Sequence, residues 1–168
     1  MTAVFINPQL YVQKNDKFTT GIVYMPIALA YVVSYFKKQN VKTNVIDLYG
    51  ENPKKFIRDN NCLIFGENIV NISKNKLDNA KCFFIYANQV ANHLSVITIA
   101  KFLKKNYLNK PVVILENSQA VTAYSLSKVK NEFLNIGCDY IVIGDIEKPA
   151  LSLYNNLNDI NYIKNIKG

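Results

Sequence analysis

The segment from Thr2 to Asp47 constrains the fold most strongly, because it predicts a strand, a helix and a second strand in that order. Val4-Phe5-Ile6 is a β-branched and aromatic run that ends at Asn7-Pro8, since proline lacks the N–H that a continuing strand would donate. A loop is expected from Gln9 to about Tyr24. A helix is then expected to begin at Met25-Pro26, because proline is tolerated in a first helical turn, and Val41 to Asp47 predicts the next strand. Together these elements form a βαβ unit with parallel strands and a right-handed crossover.

The helix of this unit carries its own pattern of apolar residues. Lys37-Lys38 are expected to end it, where cations interact favourably with the helix dipole. Asp47, at the end of the second strand, is expected to cap the following turn. The residues that recur at intervals of three and four, and that predict one face of the helix, are Ile27, Ala30, Tyr31, Ser34 and Tyr35.

The pattern is weaker between Asp47 and residue 79. Glu51 to Asn60 predicts a short helix with Phe56 and Ile57 on its apolar face. Cys62 to Gly66 predicts either a brief strand or a turn, and Asn68 to Lys76 predicts a weak helical segment. The sequence alone therefore leaves the structure of residues 60–79 open.

Alternation of strands and helices returns at Lys81. Cys82 to Ala87 is a near-continuous apolar run, which is typical of a strand in a parallel sheet covered on both faces. Gly137 suits the left-handed position that follows a helix end. The remaining predicted elements are the helices His93 to Tyr107, Tyr124 to Ile136 and Glu147 to Leu157, and the strands Pro111 to Leu115 and Tyr140 to Ile143.

This order of elements predicts one α/β domain over residues 1–168. The expected architecture is an open, doubly wound, Rossmann-like or flavodoxin-like sheet of five parallel strands in the order 2-1-3-4-5, with helices on both faces. A chain of 168 residues can bury roughly 70% of its unfolded surface, which is enough for a full core. Ligands of such sheets bind outside the carboxyl ends of the strands. The corresponding segments are 7–24, 87–92, 116–123 and 144–147.

Composition excludes several classes of protein. Twenty Lys and Arg against twelve Asp and Glu leave a net charge of +8, but the lysines are spread over most helix ends and loops, so we expect a solvated surface and no nucleic-acid partner. Cys62, Cys82 and Cys138 are far apart and have no metal-ligand spacing, so they are expected to be structural thiols. No apolar run approaches the roughly 18 residues of a membrane span. We therefore expect a cytoplasmic protein that does not span the membrane.

The loops predicted at the carboxyl edge lack the motifs of common nucleotide and hydrolase sites. Neither GxGxxG nor a phosphate-binding loop follows the first strand, and GxSxG is absent. A phosphorelay receiver would need an aspartate where the chain has Ala87-Asn88. His93 is the only histidine, and it is expected to be a partly exposed residue of a first helical turn and not a metal ligand.

The order of segments resembles the N-terminal cobalamin-binding domain of cobalamin-dependent radical S-adenosylmethionine enzymes. The family opens with an apolar strand ending in Asn-Pro or Pro-Pro, a long loop and a helix beginning with proline, which FINPQ and MPIALAYVVSYFKKQNVKTNVIDLYG match here. CFFIYANQ and HLSVITIAKFLKKNY match its third strand and helix. VVILENSQA and CDYIVIGDIEKPALSLYNNL match its later strands and last helix, and YIKNIKG looks like the segment that leads into the catalytic barrel. The resemblance covers nearly the whole chain.

The chain departs from this family at two positions. Glu116-Asn117 stand where the family has paired glycines, so side chains are expected where the backbone would approach the cofactor. Glu116 is also expected to repel a phosphate if its side chain points at the nucleotide tail of the cofactor. The turn GDIE keeps Gly144 and Glu147 of the family's Gly-Glu-Gly-Glu and replaces the middle pair.

The resemblance implies a cobalamin site without catalytic residues. It implies binding with the dimethylbenzimidazole tail displaced and with no histidine on the cobalt, since the loop after the first strand contains none. The cofactor would supply the chemistry and the protein would position it. The cofactor-binding residues implied in this way are Asn7, Pro8, Ala87, Asn88, Gln89, Glu116, Asn117, Ser118, Gly144, Asp145 and Glu147.

Two functions follow as hypotheses from different classes. In the first, the chain is a cobalamin-binding module of, or for, a radical S-adenosylmethionine catalytic domain or separate enzyme; it contains no CxxxCxxC iron–sulfur motif of its own. In the second, it is a cofactor-free interaction module that docks to another protein through the same edge or through Tyr11, Phe18 and Tyr24. An enzyme of another type would need a nucleophile and a base, which these loops do not pair.

Overall fold

The structure is a computed structural model that describes residues 2–14, 25–116 and 126–163. Its strands are β1 (Thr2–Asn7), β2 (Leu10–Gln13), β3 (Thr43–Asp47), β4 (Phe56–Asp59), β5 (Cys62–Phe65), β6 (Ala80–Ala87), β7 (Val112–Glu116) and β8 (Tyr140–Val142). Its α-helices are α1 (Ile27–Lys38), α2 (Leu48–Glu51), α3 (Asn75–Asp78), α4 (His93–Asn106), α5 (Leu126–Asn135), α6 (Glu147–Asn155) and α7 (Ile160–Ile163). Two 3-10 turns, Ile69–Asn71 and Val90–Asn92, lie between them.

The main sheet has five parallel strands in the order β3-β1-β6-β7-β8. Counted along the main series of strands, this is the order 2-1-3-4-5, so the predicted fold class and topology are confirmed. In the register of the sheet, Phe5 of β1 lies opposite Val45 on one side and Phe84 on the other. The strand order reverses between β1 and β6, and this reversal is where open α/β sheets bind ligands.

Helices cover both faces of this sheet and enclose two cores. On one face, α1 and α6 pack on β1 and β6, where the Phe5 and Phe84 rings stack with centroids 4.9 Å apart. Phe36 of α1 meets both rings edge-on, at 5.0 and 5.5 Å. On the other face, α4 and α5 cover the residues of the same strands that alternate with these. The near-continuous apolar strands predicted from the sequence follow from this double covering.

A second, three-stranded antiparallel sheet, in the order β2-β5-β4, corrects two predictions. Residues Leu10–Gln13 form a strand where a loop was expected, and Phe56–Asp59 form a strand where a helix over Glu51 to Asn60 was expected. β4 and β5 are joined by a two-residue turn in which Asn60 has a φ of +44°, a conformation that asparagine tolerates well. The helix prediction was wrong because Phe and Ile, read there as a helix face, favour a strand when a tight turn follows.

The face by which α1 packs also differs from the prediction. Its buried residues are Leu29, Val32, Val33 and Phe36, whereas Ile27 and Tyr31 are 61% and 62% exposed. The helix is apolar on more than one side, so an interval of three and four residues fits two faces equally well. Only the position of the neighbouring strands selects between them.

The remaining boundaries agree with the sequence to within a few residues. Cys62–Phe65 is a strand, one of the two predicted alternatives, and the segment predicted as weakly helical contains a 3-10 turn and α3. Gly137 has a φ of +90° after α5, as expected for a residue that ends a helix. The short helix α7 was not predicted.

Candidate functional site

The carboxyl edge of the main sheet brings together the ends of strands that are distant in sequence. Asn7, Ala87 and Glu116 are the last residues of β1, β6 and β7, and Ala87 lies directly opposite Glu116 in the register. Gly144 follows β8 by two residues. Asn117 and Ser118, also predicted as cofactor-binding, lie outside the described residues.

Asn7 is buried at the point where the strand order reverses. Its Nδ2 donates a hydrogen bond of 2.8 Å to Oδ1 of Asp47, the last residue of the neighbouring strand β3. The same carboxylate oxygen accepts a hydrogen bond of 3.0 Å from the Gly50 N–H, which confirms that Asp47 caps the turn after its strand. Among the described residues, Asn7 Oδ1 has no hydrogen-bond partner.

The chain after β1 crosses the reversal point before it enters β2. The Gln9 N–H donates to Ser95 Oγ at 3.1 Å, and the Tyr11 N–H donates to Asn92 Oδ1 at 3.4 Å. These bonds attach the crossing segment, Pro8 to Gln13, to the start of α4. Pro8 and Gln9 are buried there. Gln9 Nε2 is buried without a partner in the described part of the chain.

Sequence reasoning missed the role of Ser95 and Asn92. Both are buried polar residues whose partners lie more than eighty positions earlier in the chain. No local pattern indicates such a contact. The only sequence signal is the position of Ser95 within an apolar stretch of helix.

Glu116 joins the start of α5 to the loop after β8. Its side chain is buried, Oε1 accepts from the Leu126 N–H and Oε2 accepts from the Gly144 N–H, each at 3.0 Å. Leu126 is the first residue of α5, whose backbone N–H has no partner within the helix. The carboxylate therefore acts as a cap for α5 and as an anchor for the loop after β8.

The other predicted cofactor-binding residues differ in how accessible they are. Ala87 is buried, and Asn88 and Gln89 are half-buried. Gly144 has a φ of +86°, and no atom of the described residues lies within 4 Å of the position that a Cβ would take there. Asp145 is exposed, and Glu147 is half-buried as the first residue of α6. A residue with a side chain would be strained at the φ of Gly144, so the backbone conformation favours glycine at this position.

His93 lies in the first turn of α4 with a side chain that is 20% exposed. Its Nε2 lies 2.9 Å from Glu132 Oε2 of α5, and its ring meets Phe133 edge-on at 5.5 Å. The predicted position, in the first turn of a helix and partly exposed, is correct. The neighbouring carboxylate of Glu132 was not predicted, because α4 and α5 are adjacent only in the tertiary structure. Within residues 2–14, 25–116 and 126–163, no three metal-ligating side chains cluster.

An apolar cavity of about 240 Å³ lies elsewhere in the molecule, against β8, Pro149, Leu153 and Ile163. Its volume is below the 300–1,000 Å³ of typical small-molecule sites, and its lining lacks the amides of the carboxyl edge.

In the described part of the chain, every helix is too short or too polar to cross a membrane.

The polar groups of the described carboxyl edge are side-chain amides, main-chain groups and the carboxylates of Asp47, Glu116, Asp145 and Glu147, of which the first two accept hydrogen bonds described above. No model of a known protein family matches the chain, and a search of curated proteins returns no match.

Proposed function

We propose that this chain is a cobalamin-binding module of, or for, a radical S-adenosylmethionine enzyme. The proposal is supported by the 2-1-3-4-5 order of the parallel sheet and by polar residues at its carboxyl edge, with Asn7 at the reversal point and Glu116 at the end of β7. A catalytic domain or separate enzyme of that class is the expected partner. A cytoplasmic location remains the prediction of the sequence, and the three free thiols agree with it.

The observation that carries the proposal is a pair of unpartnered amide atoms at the reversal point. Asn7 Oδ1 is an acceptor and Gln9 Nε2 is a donor, and each is buried without a hydrogen bond among the described residues. A buried polar group left in this state costs about 1–3 kcal/mol, so an arrangement that supplies the missing bonds would be favoured. Both atoms are enclosed, so a ligand would supply these bonds only after the segment from Pro8 to Gln13 had moved aside. The edge of the corrin ring carries carboxamide groups, which both donate and accept.

The residues that would hold the cofactor are the amides of Asn7, Gln9, Asn88 and Gln89 and the main chain at Gly144. The carboxylate of Glu116 keeps its charge, but its two oxygens are directed at the Leu126 and Gly144 N–H groups, so neither is left to accept from a bound ligand. When bound, cobalamin would supply the cobalt chemistry, and these residues would bind and orient it.

The test is retention of cobalamin by the purified chain. The protein is mixed with hydroxocobalamin, free ligand is removed on a desalting column, and the visible absorption of the corrin is measured in the protein fraction. Co-elution at close to one corrin per chain is expected, and the spectrum should be that of a displaced dimethylbenzimidazole tail. A colourless protein fraction would end the proposal.

A matched pair of variants tests the location of the site. Gln89→Ala removes an amide at the carboxyl edge, whereas Gln39→Ala removes an exposed amide at the end of α1, on the opposite edge of the sheet. We expect Gln89→Ala to weaken retention several-fold and Gln39→Ala to leave it unchanged. Equal effects would show that binding, if present, does not involve this edge.

A second candidate function is a cofactor-free interaction module, and one observation favours it. The crossing segment from Pro8 to Gln13 is attached to α4 by Gln9 and Tyr11 and covers the reversal point with the chain's own residues. Tyr11 is half-buried in β2, and Phe18 and Tyr24, the other aromatics predicted for docking, lie outside the described residues. The desalting experiment separates the two functions, because only the first predicts a coloured protein.

A further inference from the structure

Among residues 2–14, 25–116 and 126–163, no strand pairs with the outer edge of β4, which carries apolar side chains. β4 is the last strand of the β2-β5-β4 sheet, and all four of its residues are exposed. Phe56 is 47% exposed and Ile57 is 43% exposed. An edge strand with unpaired backbone groups and apolar side chains is a template for pairing with another strand.

The hydrogen bonds of the small sheet determine which backbone groups face outward. The Gly66 N–H donates to the Lys55 carbonyl at 2.9 Å, and the β4–β5 register places Ile57 opposite Ile64. Because hydrogen-bonded pairs alternate along an antiparallel ladder, Lys55, Ile57 and Asp59 direct their N–H and C=O groups towards β5. Phe56 and Arg58 therefore direct theirs outward.

We propose that this edge pairs with the β4 edge of a second copy of the chain, antiparallel and with Ile57 on the two-fold axis. In this register Phe56 of each copy lies opposite Arg58 of the other, and the outward groups of these two residues form about four backbone hydrogen bonds. Two small sheets thereby become one continuous sheet of six strands. The pairing does not depend on cobalamin.

Charge selects this register from the alternatives that the outward groups allow. A pairing of Phe56 with Phe56 places Arg58 opposite Lys54, and a pairing of Arg58 with Arg58 places two guanidinium groups together; both arrangements are repulsive. The proposed register instead places Arg58 opposite an aromatic ring. In each copy Arg58 Cζ already lies 6.0 Å from the centre of the Phe56 ring, a cation–π arrangement that the pairing would repeat across the axis.

The next positions along the strand are also complementary. Asp59 of one copy lies opposite Lys55 of the other, so residues of opposite charge face each other at both ends of the paired segment. Lys55 also pairs with Glu67 of its own chain at 2.7 Å, so its contact with Asp59 is a shared one. A strand of four residues buries little area, so we expect a weak dimer with a dissociation constant of roughly 0.1–1 mM.

Disulfide trapping tests the register directly. In a Cys62→Ser background, Ile57→Cys places two thiols on the axis with Cβ atoms about 5 Å apart, close to the separation of a disulfide. Asp59→Cys is the matched control, since it lies on the same face of the strand but about 13 Å from its counterpart. Mild oxidation should yield a covalent dimer with Ile57→Cys and little with Asp59→Cys. Equal yields from the two variants, or no dimer from either, would overturn the proposal.

Sedimentation of the unmodified chain tests the pairing without new cysteines. The chain should show a rise in average mass as its concentration approaches 1 mM, about the upper limit expected for so small an interface. Arg58→Pro should abolish this rise, because it removes an outward N–H and no hydrogen bond of the β4–β5 ladder. An unchanged circular dichroism spectrum confirms that the variant is folded. A monomer at every concentration, or association that persists in Arg58→Pro, would overturn the proposal.

Discussion

Substitution of Glu116 tests whether a buried carboxylate holds the carboxyl edge of the sheet together. Its two oxygens accept main-chain hydrogen bonds of 3.0 Å from Leu126 and Gly144. Hydrogen bonds to a charged group contribute about 1.5–3 kcal/mol each, and a buried N–H left without a partner costs a similar amount. We therefore expect Glu116→Ala to lower the free energy of unfolding by about 3–5 kcal/mol. Glu116→Gln, which keeps the shape and one acceptor, should lower it by about 1.5–3 kcal/mol.

Urea denaturation followed by circular dichroism measures this loss. With a denaturant slope of about 2 kcal/mol/M, a loss of 3 kcal/mol moves the unfolding midpoint down by about 1.5 M. Asp145→Asn is the control, because it neutralises an exposed acid in the loop that Glu116 anchors, and its effect should stay within about 0.5 kcal/mol. Faster hydrogen exchange at the Leu126 and Gly144 amides should accompany the destabilisation. If the free energies of unfolding of both Glu116 variants lie within about 0.5 kcal/mol of that of the unmodified chain, the carboxylate does not join α5 to the loop after β8.

Three further predictions concern the core, the pH dependence and the thiols. Phe84→Ala removes a fully buried ring that stacks on Phe5 in the core. It should lower the free energy of unfolding by about 3–5 kcal/mol in the same urea assay, and a loss below about 1 kcal/mol would contradict this packing. Hydrogen bonds from Asn71, Lys55 and the backbone lower the pKa of Glu67 from 4.5 to about 2. The stability that the ionised Glu67 contributes is therefore present above pH 4.5 and is lost as the pH falls from 4.5 towards 2. Glu67→Gln should remove this part of the acid dependence, as measured by urea midpoints at pH 3 and pH 6, and an unchanged acid dependence would refute the assignment. Burial raises the pKa of Cys138 to about 11, whereas Cys62 is only half-buried. Iodoacetamide at neutral pH should therefore modify Cys62 before Cys138, as followed by mass spectrometry. The reverse order would contradict the burial of Cys138.

The main sheet was predictable because its signals are local. Apolar runs such as Cys82 to Ala87 are long enough to specify strands covered on both faces, and their alternation with helices allows few chain topologies. The left-handed residue after α5 and the cap formed by Asp47 also follow from single residue types in a known position. These parts of the fold depend on backbone preferences that act within a few residues.

The small sheet was not predictable for the opposite reason. Its strands are four residues long, and 48 residues, 14–61, lie between β2 and its partner β5. At that length, apolar residues fit a helix face and a strand equally well, and only pairing with a distant segment decides between them.

The sequence by itself determined the class of fold, the order of the main strands and the polar residues at their carboxyl ends, because those properties follow from periodicity and from the handedness of βαβ crossovers. The tertiary structure alone decided how these residues are used. Glu116 joins the start of α5 to the loop after β8, the chain after β1 crosses to α4, and His93 meets Glu132. These contacts join side chains or backbone groups that are separated in sequence. Contacts of this kind depend on the distance between folded elements, which no local pattern encodes.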